Sequence, residues 1–411
     1  MKNISKYILL LAAVALWSCE PKMDDFSPSN GSADFTKFVA VGDSYTAGYT
    51  DGALGRRGQE ESFSAILGKQ LMYVGSSSYN QPMVLSDESI GTTVIDAQGT
   101  LNGYFELKLT ESGLAPMPSV GDKDILDERV YSTENQNFGI PGAKLIHLGE
   151  LPDGYPSYAV LNDFYARFAS STDATVIGDA LAAQPTFVSL WIGNNDVLGY
   201  ALEGGEVDEI TNPLIFDGAL KAMVNMITSS GAKVVLGNIP AIETIPYFNY
   251  ILKDGHIGFV IEDELSPVGY RILAEGEKVL LSASTAIGMG YGLSTEMPLP
   301  AKYVLDADEL DAIEYATAEY NKTIASLDND NVAVVDLFSI MNQLNSTGLI
   351  IDGNYYTTEF ITGGVFSLDG IHASGRGSAI IANAFIEAIN AEYNASVPLA
   401  NVNDYDMVEF P

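Results

Sequence analysis

Cysteine occurs once in this chain, at position 19, and histidine three times, at 147, 256 and 372. One thiol excludes an intrachain disulfide and any cysteine-built zinc or iron–sulfur site. Three imidazoles leave little for His-rich metal chemistry. Basic residues are also scarce: 20 Lys+Arg stand against 54 Asp+Glu, a formal charge of −34. No block of Lys/Arg appears, which argues against duplex DNA or RNA as a partner, because phosphate binding needs clustered cations. Gly68-Lys69 is followed by Gln70 rather than Ser or Thr, so no Walker-type phosphate loop is present. The acids of Asp306-Ala307-Asp308-Glu309 and Asp328-Asn329-Asp330 lack calcium-loop spacing and read as a helix start and a helix end. No stretch holds eighteen consecutive apolar residues, the length of a membrane-spanning helix. Of the 411 residues, 47 % are nonetheless apolar and only 18 % charged, enough to bury a large core.

The N-terminus reads as an export signal. Lys2 and Lys6 precede an apolar run from Tyr7 to Trp17, too short to cross a bilayer but sized for a signal h-region. The run ends Leu16-Trp17-Ser18-Cys19, which resembles the lipobox of bacterial lipoproteins, with Cys19 as the lipidated residue. The competing reading is an ordinary secretory peptide with an incidental cysteine. Removing residues 1–18 would take the formal charge from −34 to −36. Residues 19–34, rich in Pro, Ser, Gly and acids, are expected to form a flexible tether. A lysine followed by acids just after the cysteine resembles the surface-export signal of Bacteroidota lipoproteins. The implied location is the outer membrane or cell surface of a Gram-negative bacterium, with the membrane met only through the lipid anchor; the periplasmic and outer faces stay open.

From Phe35 onward short β-rich runs alternate with amphipathic helices. Phe38–Val41, Thr186–Ile192, Lys233–Ile239 and Val332–Leu337 are apolar and largely β-branched, as suits strands buried on both faces of a parallel sheet. Helical spacing predicts helices over about 214–230, 308–327 and 376–393. This alternation is the pattern of a doubly wound α/β sheet, in which ligands sit at the carboxyl ends of the strands. Two stretches interrupt it, at about 75–130 and 240–305, and read as insertions. The first is hairpin-like, pairing Thr92–Ile95 with Tyr104–Leu107. The second holds Tyr247, Phe248, Tyr250 and Tyr291, which either contact substrate or pack the insertion on the sheet.

Four polar blocks carry the chemistry. Gly42-Asp43-Ser44 closes the first strand, where a hydroxyl is exposed beside free backbone N–H groups. Asp369-Gly370-Ile371-His372 spaces a carboxylate and an imidazole so that they can meet, which is what a serine nucleophile requires. His147 and His256 have no acid at that spacing, so His372 is the best base in the chain. Gly193-Asn194-Asn195-Asp196 ends the strand that carries Trp191. Asn137-Phe138-Gly139-Ile140-Pro141-Gly142-Ala143 adds a glycine loop, and the two could supply donors to an oxyanion. Singly, each block is ordinary turn chemistry.

Together, in this order, the blocks resemble the SGNH hydrolase superfamily, also called GDSL esterases and lipases, over roughly residues 35–395. The resemblance implies a flavodoxin-like three-layer α/β/α domain spanning 35–400 and metal-free, cofactor-free ester hydrolysis through an acyl-enzyme. It makes Ser44 the nucleophile, His372 the base and Asp369 the residue that orients it. Ser44 N–H, Gly142 N–H and the Asn195 side chain would hold the oxyanion, with Gly139 open as an alternative to Gly142. The family's motif continues with Leu where this chain has Tyr45, a difference that falls on a residue without an expected chemical role. The implied partner is an ester substrate, an acylated glycan or a lipid. Two rival readings remain at this stage: a non-catalytic glycan-binding surface lipoprotein, and an acyltransferase using the same serine.

Overall fold

The computed structural model describes residues 27–110, 113–253 and 258–411. The signal segment 1–18, Cys19 and His256 lie outside the described residues. Five parallel strands form the central sheet: β1 (Phe38–Gly42), β2 (Asn137–Gly139), β3 (Phe187–Trp191), β4 (Lys233–Gly237) and β5 (Val332–Val335). Their order is β2-β1-β3-β4-β5. This is the flavodoxin-like order expected from the resemblance, with its reversal of strand order at β1. Every residue of β1 and β3 is buried, so both faces of the sheet are covered.

Eight helices of the fold matter here: α1 (Ser44–Ala47), α2 (Phe63–Leu71), α3 (Val176–Ala182), α4 (Asn195–Leu202), α5 (Pro213–Ser229), α6 (Ala307–Ala325), α7 (Leu337–Ser346) and α8 (Gly375–Tyr393). The three helices predicted from periodicity are α5, α6 and α8. Helices α2 and α8 pack together through Phe63 and Phe385, whose stacked rings are 5.0 Å apart, with Trp191 of β3 edge-on to Phe63 at 5.3 Å. Helices α5 and α6 form a second pair around stacked Phe216 and Tyr320, 4.0 Å apart. Such aromatic pairs add about 0.5–1.5 kcal/mol each beyond the area they bury. Asp306 and Glu309 close the N-terminus of α6 as a reciprocal capping box, so that acid cluster is the helix start the sequence suggested.

One hydrophobic core runs from Ala33 to Val402. Of the expected tether 19–34, residues 19–26 lie outside the described residues, and the stretch from Ser29 onward is tied to the domain instead. Ser29 bridges Ser396, and Ala33 is buried, because the chain pairs with the segment that follows α8. At the other end the domain packs beyond residue 400, with Val408 buried against Leu107 and Leu368.

The first insertion departs from expectation in its pairing. Asn102–Thr110 pairs with Gly113–Val120 rather than with Thr92–Ile95, of which only Val94 makes an isolated bridge, to Leu101. The second insertion builds two small antiparallel pairs over a cluster of Phe259, Ile261, Leu273, Val279 and Leu299. Phe248 is buried in the main core, and Tyr291 packs on the insertion's own cluster.

The register of the sheet brings three motif-bearing strand ends into line. Gly42 sits opposite Gly139 on one side and opposite Trp191 on the other. The glycine at 42 is required by close packing: a Cβ there would lie 2.2 Å from Thr46 Oγ1 and 2.3 Å from the Trp191 carbonyl.

Candidate active site

Ser44 is the first residue of α1, where the helix offers its N–H no acceptor. Asp43 caps that helix by accepting from the Tyr45 N–H at 3.0 Å, and Gly48 ends it with φ +83°. The turn is therefore short and fixed at both ends. Ser44 is 7 % exposed, with its Oγ at the edge of the buried sheet.

Asp369 and His372 lie on a tight loop closed by an antiparallel bridge between Phe366 and Ala373. Inside it the Ser367 N–H donates to the His372 carbonyl and the Gly370 N–H to the Ser367 carbonyl. The loop delivers both side chains to Ser44. His372 Nε2 is 2.9 Å from Ser44 Oγ, and His372 Nδ1 is 2.8 Å from Asp369 Oδ2. Asp369 is almost fully buried. Its Oδ1 accepts from the Ile371 and His372 N–H groups at 2.8 Å each and from Ser367 Oγ at 3.1 Å, and its Oδ2 also accepts from the Gly52 N–H at 2.8 Å. Burial pushes this carboxyl up. The adjacent His372, together with these donors, more than offsets burial and holds it below its ordinary 3.8.

Asp43 is fully buried and joins the first block to the third, since its Oδ2 accepts from Asn194 Nδ2 at 2.9 Å. Burial raises its carboxyl to about 6 despite the lowering hydrogen bonds from Asn194 and the Tyr45 N–H. A folded value above the unfolded one means that the native state binds the extra proton between about 3.8 and 6. Stability from this group therefore falls as pH rises through that window, by on the order of 3 kcal/mol when complete. Asn at this position does not titrate. Denaturant unfolding of Asp43→Asn and the parent at pH 4 and pH 7 is expected to show the difference moving in favour of the variant by on the order of 2–3 kcal/mol. A difference independent of pH would contradict a protonation change at Asp43.

The remaining blocks clasp each other. Asn195 opens α4 and donates from Nδ2 to the Ala143 carbonyl at 2.9 Å, leaving the second amide hydrogen without an acceptor among the described residues. Asp196 Oδ2 accepts from the Leu145 N–H at 2.8 Å. The two glycines of the second block now separate. The Gly139 N–H donates to Asn137 Oδ1 at 2.8 Å, and a Cβ there would meet the Ala47 nitrogen at 2.2 Å, so Gly139 serves packing against α1. Gly142 has φ +78° and open space around its Cβ position, and its N–H has no acceptor among the described residues. Asn162 Nδ2 donates to the Pro141 carbonyl at 3.0 Å and fixes the loop from behind.

Tyr45 does more than the sequence suggested. Its hydroxyl donates to the Ile371 carbonyl at 2.6 Å, and its ring lies 5.3 Å from the His372 ring and 4.7 Å from Trp191. It ties the turn that carries Ser44 to the loop that carries His372. Tyr49 adds a second ring 4.8 Å from His372. The second insertion touches the same loop, because the Tyr247 N–H donates to the Gly370 carbonyl. His147 sits in a short 3₁₀ turn, stacked on Tyr158 at 4.5 Å, and has no part in the Ser44 cluster. A cavity of about 430 Å³ is lined by Tyr45, Tyr49, Arg57, Tyr104 and the C-terminal stretch, but not by Ser44 or His372. The Ser44–His372–Asp369 cluster therefore lies beside this cavity rather than in its wall.

The model of the GDSL-like Lipase/Acylhydrolase family matches residues 38–385, a span that contains all four blocks. The chain belongs to that family. Solved structures similar to this GDSL chain include an α/β hydrolase from the metagenome of Lake Arreo, at 13 % identity, covering 88 % of this chain and 97 % of that one with a TM-score of 0.39. Another is the acetylxylan esterase Axe2 from Geobacillus stearothermophilus, at 14 % identity, 88 % and 98 % coverage and a TM-score of 0.37. A third is the lipase/acylhydrolase from Enterococcus faecalis, at 15 %, 89 % and 99 %, with a TM-score of 0.36. The search of curated proteins returned no match.

Proposed function

We propose that this GDSL-family chain is a serine ester hydrolase acting through Ser44, His372 and Asp369. The observation that carries the reading is the continuous hydrogen-bonded path from Ser44 Oγ through both nitrogens of His372 to Asp369, among residues 328 positions apart. A binding protein has no use for a hydroxyl aligned on an imidazole whose far nitrogen is held by a buried carboxylate.

In the proposed cycle His372 Nε2 takes the Ser44 proton as Oγ attacks the ester carbonyl carbon. The C=O π pair moves onto oxygen, and the oxyanion meets the Ser44 N–H, the Gly142 N–H and the free hydrogen of Asn195 Nδ2. The intermediate collapses to the acyl-enzyme as the ester C–O bond breaks and the alcohol leaves with the proton from His372. Water then repeats the sequence, with His372 as base, and releases the acid. Asp369 keeps the Nδ1–H tautomer and stabilises the imidazolium. Substrates would be acyl esters borne on a glycan or a lipid. Within this reading Cys19 would carry the lipid anchor that holds the enzyme at the membrane surface.

The test is hydrolysis of p-nitrophenyl acetate, extended to longer acyl chains, acylated sugars and phospholipids. Asn195→Ala should retain the acyl-enzyme route but lose about 10²–10³ in kcat, as expected for one oxyanion donor. Part of that loss would come through the Ala143 carbonyl, which the amide also holds. An Asn195→Ala enzyme with unchanged kcat would remove this residue from the site.

A further inference from the structure

The loop that follows the nucleophile turn reaches back to the triad carboxylate. Thr50 and Ala53 exchange backbone hydrogen bonds around Asp51-Gly52, whose φ values are +47° and +75°. A two-residue turn with both central φ positive favours Asp-Gly, so the sequence is locally suited to it. A surface turn would leave its polar groups in water. Here they are buried and reach a loop more than 300 residues away. Asp51 Oδ1 accepts from the Leu368 N–H at 2.8 Å, the Asp51 N–H donates to Ser367 Oγ at 3.0 Å, and Ser367 Oγ donates in turn to Asp369 Oδ1. The Gly52 N–H reaches Asp369 Oδ2 directly. Arg57 completes the arrangement. Its Nη2 is 2.7 Å from Asp51 Oδ2, and its guanidinium lies 4.4 Å over the Tyr104 ring on the wall of the 430 Å³ cavity.

We propose that Asp51, braced by Arg57, is a positioning residue that fixes Asp369 against His372. The inference rests on the hydrolase reading above and deepens it. The physical reason is geometric. Asp369 sits on a loop whose tip carries Gly370 at φ +72°, and a carboxylate on such a loop is held only by what it bonds to. The Asp51–Gly52 turn provides an N–H to one oxygen, orders the hydroxyl that donates to the other, and binds the backbone of the residue before Asp369. Because residues 44–52 are continuous, the same stretch carries the nucleophile and clamps the acid. The spacing between Ser44 and Asp369 is thus set by one short piece of chain.

The experiment compares Asp51→Ala, Asp51→Asn and Ser367→Ala with the parent by two readouts. The first is the downfield proton resonance of the His372 Nδ1–H, assigned by its loss in His372→Ala, which requires no substrate. The second is kcat for p-nitrophenyl acetate per serine titrated with a fluorophosphonate. Asp51→Ala is expected to lose or shift the resonance and to lower kcat per titrated serine about 10–100-fold, the scale of an ångström-level misplacement, with KM unchanged. Asp51→Asn keeps an acceptor for the Leu368 N–H but turns its NH₂ toward Arg57, and is expected to fall between Asp51→Ala and the parent in both readouts. Ser367→Ala removes one oxygen, should fold, and is expected to change both readouts in the same direction by less. If Asp51→Ala does not fold, Ser367→Ala decides alone. An unaltered resonance with unaltered kcat per titrated serine in the folded variants would overturn the proposal. A parent protein that shows the resonance but neither labels nor hydrolyses would instead overturn the hydrolase reading, and the clamp would still be judged on the resonance.

Discussion

Ser44→Ala is expected to lower p-nitrophenyl acetate turnover by on the order of 10⁶, with the circular dichroism spectrum unchanged. The fold has little reason to respond. Ser44 Oγ bonds only to His372 Nε2 among the described residues, and α1 is held by Asp43, the Thr46 carbonyl's contacts with Ser64 and Asn137, and Gly48. Under the proposed mechanism the chemistry, in contrast, loses its route to an acyl-enzyme. His372→Ala is expected to cost a similar factor, and the double variant no more than either, because a nucleophile and its base act as a unit. Additive losses in the double variant would mean that the two side chains work in separate steps. Full activity in Ser44→Ala would remove the serine from the mechanism.

Asp369→Asn is expected to cost about 10⁴ in kcat. The surroundings of this carboxylate explain why an isosteric amide fails. Oδ2 accepts from the Gly52 N–H and pairs with His372 Nδ1, and Oδ1 accepts from two N–H groups and the Ser367 hydroxyl. Every neighbour is thus a donor, and an amide NH₂ must face some of them. Turned toward Oδ1's partners, it opposes three donors. Turned toward His372, it forces Nδ1 to accept, which moves the imidazole proton to Nε2 and leaves no lone pair for the Ser44 proton. The pH profile offers a second check. Asp369 titrates below 3.8, so its contribution to stability is present above that value and is lost as pH falls through its folded one. The parent should therefore show no limb assignable to this carboxyl between pH 5 and 9. A variant within tenfold of the parent would show that Asp369 does not set the tautomer.

Much of this site was legible in the sequence because its blocks are local. Gly42-Asp43-Ser44 and Asp369-x-x-His372 each close or open an element, and a buried parallel sheet leaves its polar chemistry at strand ends. The β-branched runs gave four of the five central strands. The fifth, Asn137–Gly139, is three residues long and has no β-branched residue, so it carries no strand signal; it is fixed by its register beside β1. The hairpin partner Gly113–Val120 was hidden by Pro116 and Pro118, which argue against a strand in the middle of a sheet. This strand pairs on one side only, and an edge tolerates them. The residues that escaped sequence reasoning are those whose partners lie far along the chain. Tyr45 reads in the sequence as a residue without a chemical role beside Ser44, whereas its hydroxyl donates to the Ile371 carbonyl. Asp51 and Asn194 carry no local signal of their distant partners, the Leu368 N–H and the Asp43 carboxylate. The preference for Gly142 over Gly139 comes from the resemblance and its spacing, whereas the bond from the Gly139 N–H to Asn137 Oδ1 is not visible there.

The central claim is that Ser44 is a nucleophile activated by His372. Incubation with a fluorophosphonate followed by peptide mapping tests it without a known substrate. The account predicts one adduct per chain, on the peptide containing Ser44, and its loss in both Ser44→Ala and His372→Ala. No adduct on the folded parent, or an adduct that persists at full yield in Ser44→Ala, would contradict it.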